Sequence, residues 1–311
     1  MCLLVSYDGV KGEMKLSKLE ELALEKQLKL LNKPSVKTIK TGWGDTYDCV
    51  DFYKQPAFDH PSLKNHNFHP GMKPTLTKIS KFQVTQQLMY LRIHGQGMTV
   101  VLLELFPSKE LQKMILLGKD TNNNLKATGV YTRAIVQTRD DPNNKFAGAG
   151  MVASLWNPRV EGTQNSASRM KIQKGSDRIQ VDPMLYGDTE TRLFIHFQAG
   201  KTHCFNTICS GFVLVNSDIA IDGVFHSVTR KGKTIWETAL YIDRDLANGN
   251  WWLLIGKDQV QVGFWPQRIF TELDNFATSV EWGGVTYTPA CRCILSSNGR
   301  WCFPCTSRAP S

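Results

Sequence analysis

The chain has 311 residues, 41% of them hydrophobic and 21% charged, and 37 Lys and Arg against 28 Asp and Glu leave a net charge of +9. That apolar share supports a buried core and excludes a disordered or collagen-like chain, and no run approaches the ~18 apolar residues of a membrane-crossing helix. The positive charge is dispersed, densest at Arg230-Lys231-Gly232-Lys233, and reads as solubility rather than as a nucleic-acid-binding surface.

At the N-terminus the only apolar stretch is Cys2–Val5, followed by Ser6-Tyr7-Asp8. A secretory h-region needs roughly 7–15 apolar residues, so residues 1–15 read as a tail without a signal peptide. Residues 16–31 predict an amphipathic helix. Leu16, Leu19, Ala23 and Leu30 recur at helical steps with Leu24, Leu28 and Leu31, Ser17 and Glu20 form a capping box, and Asn32 and Pro34 end it. Residues 34–75 are rich in Pro, His, Lys and Asn. His60, His66 and His69 fit no metal-ligand spacing and read as surface histidines of a polar connector.

From residue 129 the pattern becomes short strands broken by turns. Strands are predicted in 129–138, 150–156, 192–198, 211–216, 234–242, 251–255, 261–265 and 279–284, with turn chemistry at Asp141-Pro142-Asn143, Lys231-Gly232 and Asn248-Gly249-Asn250. Such spacing means an all-β, antiparallel sandwich or barrel. Only Pro266–Ala277 has a helical pattern, with Pro at its first turn. The Trp-rich strands, with Trp251, Trp252, Trp265 and Trp282, read as sandwich core.

Three motifs test chemistry. Gly148-Ala149-Gly150-Met151-Val152-Ala153 matches a dinucleotide fingerprint, but that function needs a helix after the glycines and a strand-like run follows here. Cys204 and Cys209, with strands on both sides, predict a small disulfide-closed loop in an oxidising compartment. Cys291, Cys293, Cys302 and Cys305 crowd the end of the chain; their spacing is a poor zinc pattern, and they read as an irregular tail. No G-x-S-x-G elbow and no Cys/His signature suggests a nucleophile.

Longer strings carry a resemblance. Residues 24–66 resemble the activation-peptide segment of plant neprosin-family proteins, most specifically Asp48-Cys49-Val50-Asp51-Phe52-Tyr53-Lys54-Gln55-Pro56-Ala57-Phe58-Asp59-His60-Pro61. Residues 146–160, 182–197, 203–216, 249–256, 262–270 and 280–284 resemble the neprosin domain itself. The resemblance implies a secreted, extracellular or cell-wall plant protein made as a zymogen, with a β-sandwich fold and no cofactor or metal. Its partners would be an intramolecular pro-segment and a proline-containing peptide or protein, with no nucleic acid and no membrane span. It divides the chain into a tail (1–15), an activation-peptide-like segment with the helix (16–75), a divergent linker (76–128), the sandwich (129–289) and a Cys-rich divergent tail (290–311).

Active members are glutamic endopeptidases that cut next to proline at acidic pH. Two facing carboxyl groups separate their pKa values and share a proton. The ionised one takes a proton from water, and the neutral one donates to the substrate. Here the positions matching the family glutamates are Gln180 and Val285, the latter directly after Glu281-Trp282-Gly283-Gly284. Gln180 cannot accept a proton from water, and Val285 cannot even hydrogen-bond one. The expectation is therefore a catalytically impaired member, the alternatives being an active endopeptidase with Glu190, Glu237 and Glu281 as substitute acids, or a peptide- or cell-wall-binding module. Residues 98–118 replace the family's Cys-Pro-x-Gly-Thr motif, whose cysteine would be the natural partner of Cys49. After Tyr287 the chain departs from the further strands of the family, which implies an incomplete sandwich.

Overall fold

A computed structural model describes residues 2–4, 33–41, 45–75, 91–93, 98–104, 115–117, 130–160, 164–186, 190–288, 293–296 and 299–302. The helix expected over 16–31 lies outside these residues. Strands β1 (Cys2–Leu4), β2 (Lys37–Lys40) and β3 (Thr46–Cys49) form a small sheet in the order β1-β3-β2. The larger sheets are built from β4 (Leu91–Ile93), β5 (Met98–Glu104), β6 (Ile115–Leu117), β7 (Val130–Gln137), β8 (Phe146–Ser154), β9 (Asn165–Lys174) and β10 (Asp177–Tyr186). They continue with β11 (Thr191–Ala199), β12 (Thr202–Phe205), β13 (Val213–Leu214), β14 (Glu237–Arg244), β15 (Trp251–Ile255), β16 (Val260–Trp265) and β17 (Ser279–Thr288). One sheet runs β12-β11-β10-β9-β17-β7-β6 and the other β13-β16-β15-β14-β8-β5-β4.

The pairing is antiparallel throughout both sheets. The fold is an all-β, antiparallel sandwich. Period-2 alternation buries Met170, Ile172, Ile179, Val181, Ile195, Phe197 and Trp282 from the first sheet, against Met151, Leu240, Ile242, Trp251, Leu253 and Trp265 from the second. The sheets are also tied by a hydrogen bond, the indole Nε1 of Trp282 donating to the carbonyl oxygen of Gly150 at 3.1 Å. Gly148 and Gly150 lie inside strand β8, where a Cβ would meet the side chains of Asp243 and Tyr241 at 2.4 and 2.5 Å. Close packing accounts for these glycines.

Two expectations are corrected. The helical pattern of Pro266–Ala277 yields only the 3-10 turn Gln267–Ile269. The buried carboxylate of Asp177 prevents a continued helix, because it draws in the consecutive amides of Thr271, Glu272 and Leu273 at 2.6, 2.6 and 3.1 Å. These amides, with that of Gly200, outweigh the upward push of burial and hold the Asp177 carboxyl below its usual pKa. The described part of the Cys-rich tail is not irregular either. Strands β18 (Cys293–Ser296) and β19 (Gly299–Cys302) pair as a hairpin, with Cys293 opposite Cys302.

The segment 45–75 folds onto the sandwich through three short 3-10 turns, Phe52–Lys54, Pro56–Asp59 and Pro61–Leu63. Val50, Phe52, Ala57, Leu63 and Phe68 join the hydrophobic core. Phe68 meets Phe264 edge-to-face at 5.0 Å under the guanidinium of Arg268, and Gln55 exchanges two hydrogen bonds with the backbone of Leu214. Cys49 is disulfide-bonded and faces Cys2 in register, so it does not depend on the family motif's missing cysteine. Cys204 and Cys209 form the expected bridge, with their Cα atoms 5.8 Å apart.

Candidate functional site

Along the first sheet, the side chains turned away from the core form a polar face. Antiparallel register sets His196 on β11, Gln180 on β10, Lys171 on β9, Glu281 on β17 and Gln137 on β7 in one row. Two residues along, Phe194 stands opposite Asp182, and Arg169 opposite Gly283. Gly283 is required there, since a Cβ would fall 2.1 Å from the carbonyl oxygen of Ala134 on β7.

Glu281 sits at the centre of this face and is 3% exposed. Its carboxylate accepts from Lys171 Nζ at 2.8 Å and from Arg169 Nη1 at 3.4 Å. Burial favours the neutral acid, but the two cations outweigh it and hold the Glu281 pKa below the ordinary glutamate value. The same desolvation lowers the pKa of Lys171, only partly offset by Glu281.

Asp182 has the opposite environment. It is 1% exposed, and Gln180 Nε2 donates to its Oδ2 at 2.5 Å while Oδ1 has no hydrogen-bond partner. Burial pushes its pKa up to about 7, against the pull of Arg169 and Gln180. At the β12 end, burial and then the positive charge of Arg178 hold His196 down at about 4, so its ring is neutral and stacks on Phe205 at 4.7 Å. The face therefore holds one acid kept neutral and one kept ionised, within a field of cations.

Residues 161–299 match the family description Neprosin, and residues 38–96 match the Neprosin activation peptide. The chain belongs to the neprosin family. Its neprosin domain match contains β9 to β17 and thus most of the polar face, and its activation-peptide match contains the docked segment.

The neprosin resemblance assigned catalytic positions to Gln180 and Val285, and the register places them in different rows. Gln180 aligns with Lys171 and Glu281, while Val285 aligns with Ala167 and Arg133, and Ala167 with Met184. Of the three substitute acids, only Glu281 lies on this face. Glu190 precedes β11 and accepts from Asn157 Nδ2 at 3.2 Å. Glu237 opens β14 in the other sheet, opposite Ser154. Asp182 is the acid that sequence reasoning missed. Its signal was the alternation Arg178, Gln180, Asp182, which is visible once residues 177–186 are read as a strand.

Proposed function

We propose that this neprosin-domain protein is a secreted, zymogen-organised relative of the plant glutamic prolyl endopeptidases that binds proline-containing peptide chains on its polar face without cutting them. One observation carries the reading: the central carboxylate, Glu281, is clamped between Lys171 and Arg169. A carboxylate stabilised as an anion by two cations is a weak general base. Neither position matched to a family glutamate carries a carboxyl group, and their rows differ. The disulfides at Cys49 and Cys204–Cys209 support an oxidising compartment.

A second reading, an active proline-directed endopeptidase, is favoured by the opposite pKa displacements of Asp182 and Glu281. On that reading Asp182 donates the proton and Glu281 accepts one from water, with an alkaline limb of activity near the Asp182 value. Incubating the full chain with a proline-rich peptide from pH 2.5 to 7, beside a mock purification, separates the two. Intact peptide throughout supports the binding reading. Cleavage that disappears in both Asp182→Asn and Glu281→Gln overturns it.

A further inference from the structure

The polar face carries more positive charge than its own acids use. Among the described residues five cations lie on this side by strand alternation: Arg133 on β7, Arg169 and Lys171 on β9, Arg178 on β10 and Arg192 on β11, the last paired with Asp45. Glu281 engages Lys171 and Arg169. Neither Arg133 nor Arg178 makes an ion-pair contact among the described residues, Glu281 acting on Arg178 only at longer range, and Arg133 leans towards the ring of Tyr131 at 6.0 Å. Arg133 flanks Val285, the position where the resemblance places a carboxylate.

Two orphaned atoms of opposite kind belong to one cross-strand pair of residues. Arg178 Nε is a buried donor without an acceptor, and Gln198 Oε1 is a buried acceptor without a donor; the two residues are cross-strand neighbours. Unmade hydrogen bonds at buried groups cost free energy, so a ligand bringing both an acceptor and an N–H donor relieves both. Burial, followed by Arg169 and Arg133, lowers the Arg178 pKa, with Glu281 offsetting only part of it, which reports the same crowding of positive charge.

We propose that this face is a receptor for a carboxylate group on an extended peptide, seated on the guanidinium of Arg178 with the peptide N–H groups beside Gln198. The proposal rests on the non-cleaving reading above and names the ligand class for that same face. A carboxylate offers two oxygens that a guanidinium takes in a fork, and a peptide main chain supplies the N–H that an inorganic anion lacks. The carboxylate comes from an acidic side chain or from a free C-terminus, and both share this chemistry.

The test is fluorescence polarisation of the full chain with labelled, C-terminally amidated peptides that differ only in a central Glu, Gln or Lys. The Glu peptide is expected to bind at least about tenfold tighter than the Gln peptide, the scale of one charge-assisted hydrogen bond, and the Lys peptide weakest. Arg178→Gln should reduce the Glu preference. Circular dichroism melting confirms that this variant is folded, and if it fails to fold it is replaced by Arg178→Lys, which keeps the charge but loses the fork. A Gln peptide with a free C-terminus that binds like the amidated Glu peptide supports the receptor and assigns the terminus as the source. Equal binding of Glu and Gln peptides, or a preference unchanged by Arg178→Gln, overturns the proposal. Tighter competition by an oligogalacturonate than by the Glu peptide overturns the peptide as ligand. Cleavage of the peptides during the assay sinks the non-cleaving reading alone, because the Glu-over-Gln ratio is read separately.

Discussion

Arg192 Nη2 meets Asp45 Oδ1 at 3.0 Å, joining the activation-peptide segment to the first residues of β11. Both side chains are largely buried, at 9% and 12% exposure, and the other arm of the guanidinium donates to the carbonyl oxygen of Asp222 at 3.0 Å. The contact adds to the apolar docking of Phe68 and the Gln55–Leu214 hydrogen bonds. Breaking a buried pair leaves one charge uncompensated and costs about 3–5 kcal/mol. Arg192→Ala is therefore expected to lower the melting temperature and to expose residues 45–75 to limited proteolysis. Unchanged digestion of that segment would show that the ion pair does not hold it.

Restoring carboxyl groups at Gln180 and Val285 is expected not to create a peptidase. A catalytic pair must approach one substrate bond, yet β9 separates the strands of these residues and their rows differ. General acid–base help is worth about 10²–10⁴-fold per group, but only with both groups in reach. Acid-dependent cleavage by the Gln180→Glu, Val285→Glu double variant would refute this, read by mass spectrometry of a proline-rich substrate.

Stability should be greatest on the acid side of neutrality. Burial raises Asp182, Asp222 and Asp243 to about 7 in the fold, whereas an unfolded aspartate titrates near ~3.9. Between those values the folded state binds more protons, so each contributes stability that is lost as pH rises from about 4 to 7. His196, lowered to about 4, works in the opposite sense against an unfolded value near ~6.5, but one imidazole faces three carboxyl groups. Asp177 and Glu281, both held low, withdraw their contribution only on further acidification. The melting temperature should be higher at pH 5 than at pH 8. Asp243→Asn should raise it at pH 8 and flatten the profile, because Asp243 Oδ1 has no partner to lose. A variant with the wild-type slope would discount Asp243.

The Cys204–Cys209 bridge should protect both thiols from alkylation in the native, unreduced protein. Replacing both by Ser should cost about 1–3 kcal/mol, the scale for closing a short loop less native strain. Denaturant midpoints of the two proteins measure it, and equal midpoints would mean that strain cancels the loop term.

Much of the architecture was written locally. Alternation and turn residues marked β7, β8, β11, β14, β15, β16 and β17 before any coordinates, and the Trp-rich strands are core as expected, with Trp251, Trp252, Trp265 and Trp282 fully buried. The adjoining cysteines fixed the short bridge, and the strings around Asp48–Pro61 and Glu281–Gly284 marked the family. Strands β9 and β10 escaped notice. The outward face of β9 alternates long cationic side chains, and β10 contains Pro183, which cannot donate to the ladder and ordinarily argues against a central strand. Those two strands carry Arg169, Lys171, Gln180 and Asp182. The site was thus hidden where the strand signal was weakest. Which acid is ionised was also beyond the sequence, since it depends on the balance the register sets: Lys171 and Arg169 in ion-pair contact with Glu281, and for Asp182 a burial that outweighs Arg169 at longer range and the Gln180 hydrogen bond. Composition and period determined the sandwich, while the pairing of strands distant in sequence, through desolvation and Coulomb attraction, decided the chemistry of its polar face.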